Sequence, residues 1–118
     1  MSLSKKILVL VLIAIAASMF AISVSNEGVN IYVQPEEYKT TATMIVDFSE
    51  TSLVTIDMYD DNDNLVDSFF RGEAEKGEMV FVLDRYALDG SFLSEGKYEI
   101  RVASLGRYIS KKKTVILK

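Results

Sequence analysis

"TATMIVDFSETSLVTIDMYDDNDNLVDSFF", residues 41–70, decides how this chain folds. In its first part Ala42, Met44, Val46 and Phe48 alternate with Thr41, Thr43 and Asp47. In its second, Val54, Ile56 and Met58 alternate with Thr55 and Asp57. A period of two places one apolar face on a core and one polar face in water, which is the pattern of half-buried antiparallel strands. Between this second run and "LVDSFF" stand Asp60, Asp61, Asn62, Asp63 and Asn64. Such a cluster can hold calcium or turn the chain. An EF-hand loop needs Gly at its sixth position and Glu at its twelfth; counted from Asp61, those positions hold Val66 and Gly72. Asn and Asp tolerate left-handed backbone and hydrogen-bond their own main chain, as short hairpins require. The segment therefore reads as a hairpin turn, with Asp60, Asp61 and Asp63 as a weak calcium candidate only.

The same alternation extends along the chain. In "KYEIRVA" (97–103), Tyr98, Ile100 and Val102 oppose Glu99 and Arg101. "MVFVL" (79–83) is apolar on both faces and reads as a central, well-covered strand. "GVNIYVQ" (28–34), ahead of Pro35, and "KKKTVILK" (111–118) read as outer strands. Turn signals fall at Ser49–Ser52, Asp60–Asn64, Gly72–Gly77, Asp89-Gly90, Glu95-Gly96 and Gly106. No helical period follows residue 26. About seven strands in this span point to an all-β, immunoglobulin-like antiparallel β-sandwich.

The first 25 residues are of another kind. "ILVLVLIAIAASMFAI" (7–22) is a nearly unbroken apolar run behind Lys5 and Lys6. A short basic start followed by a hydrophobic stretch has the architecture of an export signal. Ser23-Val24-Ser25 offers small side chains for cleavage before Asn26, and Ala21-Ile22-Ser23 is a second candidate. Uncleaved, Ile7 to Val24 would form a helix of about 27 Å at ~1.5 Å per residue, close to a hydrocarbon core of ~30 Å. Lys5 and Lys6 would then stay on the cytoplasmic side. The expected organisation is residues 1–25 as signal peptide or N-terminal membrane anchor and residues 26–118 as one domain. The expected location is extracytoplasmic, either secreted or periplasmic, or anchored at the cell membrane.

Composition narrows the chemistry. The 118 residues include no Cys, no His and no Trp. Thiol nucleophiles, histidine bases, Ser-His-Asp triads, Cys/His zinc sites and disulfides therefore have no residues to build them. The net charge of −4 disfavours nucleic acid, which is bound through cationic side chains. The basic run Lys111–Lys113 reads as edge-strand charge that discourages aggregation. Asp84, Asp89 and Glu95 are the carboxylates a glycosidase-like pair would draw on. In a small sandwich Asp84 and Asp89 read instead as partners for loop amides. Neither catalytic residues nor cofactors are expected.

"VTIDMYDDNDNLVDSFF" and "GEMVFVLDRYALDGSFLSEGKYEIRV" together resemble the immunoglobulin-like modules of the flagellar hook-assembly protein type. The likeness covers roughly residues 53–104. It rests on Tyr59, Asp60, Asn64, Leu65, Val66, Gly77, Asp84, Asp89, Gly90, Leu93, Gly96, Tyr98 and Val102. Two departures stand out: Leu83 replaces an aromatic residue that often precedes the aspartate loop, and "DDNDN" lacks the usual Gly. The resemblance implies that Gly96 allows a tight turn into a strand and that Tyr98 plugs the sandwich corner, its hydroxyl bonded near the loop.

These features together imply an exported, non-catalytic module that works by contact. Its partner would be another protein, or a second copy joined through strand edges such as "GVNIYVQ" or the final strand. Tyr86 and Phe92, in the "DRYALDGSFL" loop, are the candidate contact residues. A membrane-anchored accessory, similar in layout to stator-type proteins of the archaeal flagellum, is one alternative. A small carbohydrate-binding module is another.

Overall fold

The computed structural model describes residues 28–104 and 108–118. Its strands, in chain order, are β1 (Val29–Gln34), β2 (Glu37–Tyr38), β3 (Ala42–Phe48), β4 (Ser52–Tyr59), β5 (Leu65–Ala74), β6 (Gly77–Leu83), β7 (Gly96–Ser104) and β8 (Tyr108–Leu117). They form a three-stranded sheet in the order β1-β3-β6 and a five-stranded sheet in the order β2-β8-β7-β4-β5. Among the described residues there is no helix, and so none long and apolar enough to cross a membrane. The expected N-terminal hydrophobic helix and the Gly106 turn lie outside the described residues.

The alternating runs bury the faces that their period selects. Met44, Val46 and Phe48 of β3, Val54, Ile56 and Met58 of β4, and Tyr98, Ile100 and Val102 of β7 are all buried. They join Val29, Ile31 and Val33 of β1 and Val115 and Leu117 of β8 in one hydrophobic cluster fed by both sheets. The arrangement is all-β and sandwich-like. Each fully buried Val, Leu, Ile, Phe or Met side chain stabilises such a core by about 1.5–3 kcal/mol. With no cysteine in the chain, packing carries the fold.

Several expectations need correction. The strands among the described residues number eight rather than about seven, because Glu37–Tyr38, just beyond Pro35, form a two-residue strand that the sequence reading did not include. Proline cannot donate to a ladder, and the pairing of β1 stops at Gln34, where a cis peptide leads into Pro35. Beyond it the chain joins the other sheet as β2, which pairs parallel with β8, so the sandwich is not wholly antiparallel. Gly72 is no turn residue: it lies inside β5 opposite Val54, leaving Glu75 and Lys76 to turn into β6. Thr55 is buried rather than solvated, since β4 runs between β7 and β5 with Ala103 opposite it.

The largest correction concerns "MVFVL". β6 is not a central strand but an edge of the three-stranded sheet. Val80 and Val82 point outward at 63% and 69% exposure. A short apolar run has the same composition whether both of its faces are covered or one is left bare, and only strand order separates the two.

Candidate interaction surface at one end of the sandwich

The 60–64 hairpin and the 84–95 loop lie at the same end of the molecule, where β4, β6 and β8 finish and β5 and β7 begin. In the hairpin the Asp60 N–H donates to the Asn64 carbonyl at 2.9 Å. The Asp60 carboxylate accepts from the Asn64 and Asn62 N–H groups, both at 2.9 Å, and from Asn64 Nδ2 at 3.3 Å. These bonds, that of the Asn64 amide foremost, hold the Asp60 carboxyl below its usual pKa. Asp63 supplies the left-handed residue, with φ of 64°, that a glycine would otherwise provide.

The Asp63 carboxylate faces across the sheet to the Arg101 guanidinium. Arg101 also bonds Glu99 at 2.6 Å and lies over the Tyr59 ring, 4.1 Å from its centroid. Burial works against its charge, but Glu99 and Asp63 outweigh that and keep its pKa above the ordinary value. Asp60, Asp61 and Asp63 line an open depression of about 240 Å³ together with Lys97, Arg101 and Lys112. Asp60 is committed to its own turn and Asp63 to Arg101. Among the described residues no three Asp or Glu side chains converge as a metal-ligand set.

The 84–95 loop is closed on itself. Tyr86 and Phe92 form an isolated antiparallel bridge. The Leu93 N–H donates to the Arg85 carbonyl at 2.7 Å and the Ala87 N–H to the Ser91 carbonyl at 2.8 Å. Asp84 Oδ1 accepts the Tyr86 N–H at 3.0 Å. Asp89 Oδ1 accepts the Ser91 N–H at 2.9 Å and the Ser91 hydroxyl at 2.6 Å; the hydroxyl bond is the main reason the Asp89 carboxyl titrates below its usual range. Gly90, at φ +86°, takes the turn conformation that a side chain would oppose. Asp84 and Asp89 thus each commit Oδ1 to a loop amide, and Leu93 of the same loop is buried.

This loop shows water three large apolar side chains among the exposed Asp84, Asp89 and Glu95. Tyr86, Leu88 and Phe92 are each more than half exposed, and the Tyr86 and Phe92 rings meet edge to face, 5.7 Å apart. The Leu88 N–H donates to the Val66 carbonyl at 2.9 Å, so the loop is tied to β5. There Leu65 adds a further half-exposed side chain, while Val66 packs against the core.

Tyr98, two residues into β7 from Gly96, has its ring in the core and donates from its hydroxyl to the Ser94 carbonyl at 2.7 Å. Two buried polar residues at this end escaped the sequence reading. Arg85 donates to the carbonyls of Lys39 at 3.0 Å and Leu93 at 3.1 Å and to that of Lys118. Its guanidinium lies 5.0 Å from the centroid of Phe92. Tyr38 donates to the Asp84 carbonyl at 3.1 Å, and burial, aided by Asp84, pushes its pKa up to about 12. Neither residue follows a periodic pattern. Their only sequence signal is a charged or hydroxylated side chain among loop and edge residues.

Comparison with protein-family models and with curated proteins finds no match for the chain.

Proposed function

We propose that this chain is an exported, non-catalytic interaction module: an immunoglobulin-like sandwich displayed on or outside the cell membrane. The sheet orders β1-β3-β6 and β2-β8-β7-β4-β5, with the chain crossing from one sheet to the other between β1 and β2, support the immunoglobulin-like reading. The apolar run 7–22 behind Lys5 and Lys6 supports export. The observation that carries the function is the loop surface of Tyr86, Leu88 and Phe92. It exposes apolar side chains on a backbone fixed by its own hydrogen bonds. Ordered aromatic groups lose little entropy when they dock, which is why contact surfaces favour them.

The test is the mass of the native protein in separated cell fractions. A species in the membrane or in the soluble extracytoplasmic fraction is expected. Retention of Met1–Ser25 in the membrane would favour an anchored accessory of the stator-like kind. A full-length species confined to the cytosol would overturn the proposal. The exposed rings of Tyr86 and Phe92 also give a carbohydrate-binding module some support. Their 74° interplanar angle makes a poor flat platform for a sugar ring, so a glycan-array signal lost in Tyr86→Ala is what that reading requires.

A further inference from the structure

A β-sheet grows by strand addition only where an edge is regular and unobstructed. Most edges of this sandwich are blunted. β2 occupies β8 at Ile116 and Leu117, and Lys111, Lys112 and Lys113 lie along the open remainder. β5 has register shifts against β4 at two places, carries Asp67, Arg71 and Glu73, and already accepts the Leu88 N–H at Val66. β1 is followed at once by Pro35 and lies beside β8. β6 has none of these devices. It pairs with β3 residue for residue, from Gly77 opposite Phe48 to Leu83 opposite Ala42, without a shift. Its sequence GEMVFVL holds one charge, Glu78.

Both faces of β6 also leave apolar surface in water. On the inner side Met79 and Phe81 pack against the core but are only partly buried, as are Val66, Phe69 and Phe70 of β5. The Phe69 and Phe81 rings are 6.0 Å apart, so this half-covered seam is continuous. On the outer side the register sets Tyr32, Ile45 and Val80 in one row across the sheet. Tyr32 and Val80 are more than half exposed.

We infer that β6 is a self-association edge, through which two copies of the chain pair antiparallel about a two-fold axis at Val80. This rests on the reading of the chain as an interaction module and names its partner as a second copy. In that register Gly77 stands opposite Leu83, Glu78 opposite Val82, Met79 opposite Phe81, and Val80 opposite itself. Every residue of the strand is paired. The two Glu78 carboxylates are held apart. Moving the axis to Phe81 would set Glu78 against Asp84 of the second copy, placing like charges together. A one-residue slip would turn the apolar inner side chains outward. The contact is isologous and closes on itself, giving a pair rather than a fibre. The row Tyr32, Ile45, Val80 then continues as Val80, Ile45, Tyr32 through a six-stranded sheet. A strand pair of this length buries less than the ~1,200 Å² of a stable complex. The dimer is therefore concentration-dependent, and co-anchoring in one membrane strengthens it.

The cysteine-free sequence makes the test direct. Residues opposite each other in an antiparallel pair have Cα atoms ~4.5–5.5 Å apart, within the range a disulfide spans. Full-length Val80→Cys, mildly oxidised in dilute solution, is expected to yield at least tenfold more linked dimer than Leu88→Cys or Lys112→Cys. Mixed Glu78→Cys and Val82→Cys chains should link to each other and not to themselves. Val80→Lys should keep the far-ultraviolet circular dichroism of the native chain and raise the dimer dissociation constant at least tenfold. Equal linking at Leu88 and Lys112, a linked species with a different protein, or a native chain monomeric at all concentrations would overturn the inference. Cell fractions taken from the same cultures separate the two ideas. An exported chain without Val80 links refutes the β6 pairing alone, and a cytosolic chain with them refutes export alone.

Discussion

Along the seam where β1 passes β8, Val29 and Val115 have no exposed surface, and Ile31 and Leu117 have almost none. Along the opposite seam, where β5 and β6 are the sheet edges, Phe69, Phe70, Met79 and Phe81 are only partly covered. Both seams are built from apolar residues, so composition does not separate them. The difference is in what covers each edge. The first seam is crossed by the chain itself, which passes from β1 through β2 onto β8 and ties Arg85 to the Lys39 and Lys118 carbonyls. At the second, a turn of two residues joins β5 to β6, the Phe69 and Phe81 rings meet, and the Leu88 N–H bonds the Val66 carbonyl of β5. A sandwich can therefore be finished on one side and left open on the other. The open side is where a contact gains most, because its apolar groups still have surface to remove from water.

The sharpest way to break this comparison is to remove one aromatic side chain from each region. Phe48→Ala, in the fully covered interior, should cost about 3–5 kcal/mol in denaturant unfolding. Phe81→Ala should cost less than half of that in dilute solution, and more as concentration rises and β6 becomes paired. Equal losses at every concentration would mean that the two seams are energetically alike. Next in size is Arg85→Ala, which strands the Lys39, Leu93 and Lys118 carbonyls. A loss of about 2–3 kcal/mol is expected, whereas a loss within error would show that the closed end does not depend on this guanidinium.

Alkaline titration addresses the same closed end through Tyr38. Its folded pKa of about 12 lies above the ordinary tyrosine value of 10.0, so between these values the folded chain holds the proton more tightly than the unfolded one. The phenol's contribution is complete below pH 10 and is lost as pH rises toward 12, a fall on the order of 2 kcal/mol. Urea unfolding at pH 9 and 11.5 should show that fall in the native chain and a smaller one in Tyr38→Phe. The smallest effect belongs to the open side. Burial raises the pKa of Asp67, with repulsion from Asp84 and Asp57 adding to it. Its ionisation therefore opposes folding once pH exceeds the unfolded value. Asp67→Asn should gain less than about 1 kcal/mol at pH 7, and the gain should vanish in acid, where both side chains are neutral. A destabilised variant at pH 7 would contradict this.

Residue type and spacing made much of the architecture legible. The alternation of Met44, Val46 and Phe48, and of Ile100 with Val102, follows from side chains pointing to opposite faces of a strand. The 60–64 turn was legible because Asp and Asn accept left-handed backbone and bond their own amides. That Tyr86 and Phe92 sit in a loop was legible as well, since they stand among turn-forming residues. Other features were not. "MVFVL" looked central because hydrophobicity reports what a residue prefers and not what lies against it. Thr55 looked solvated because alternation alone ignores how fully an inner strand is covered. Arg85 and Tyr38 were missed because their partners are carbonyls, which every residue carries and no composition reveals.

By itself the sequence determined that the domain after residue 26 is built of strands, where its main turns fall, and which faces of β3, β4 and β7 turn inward. Those properties depend on local backbone preferences and on the period of the side chains. Only the tertiary structure decided that β2 joins β8 in parallel, that β6 is an edge, and that the β5–β6 seam stays open. Strand order and edge coverage arise from contacts between residues far apart in the chain, and no local pattern encodes which of several similar apolar strands is left without a neighbour.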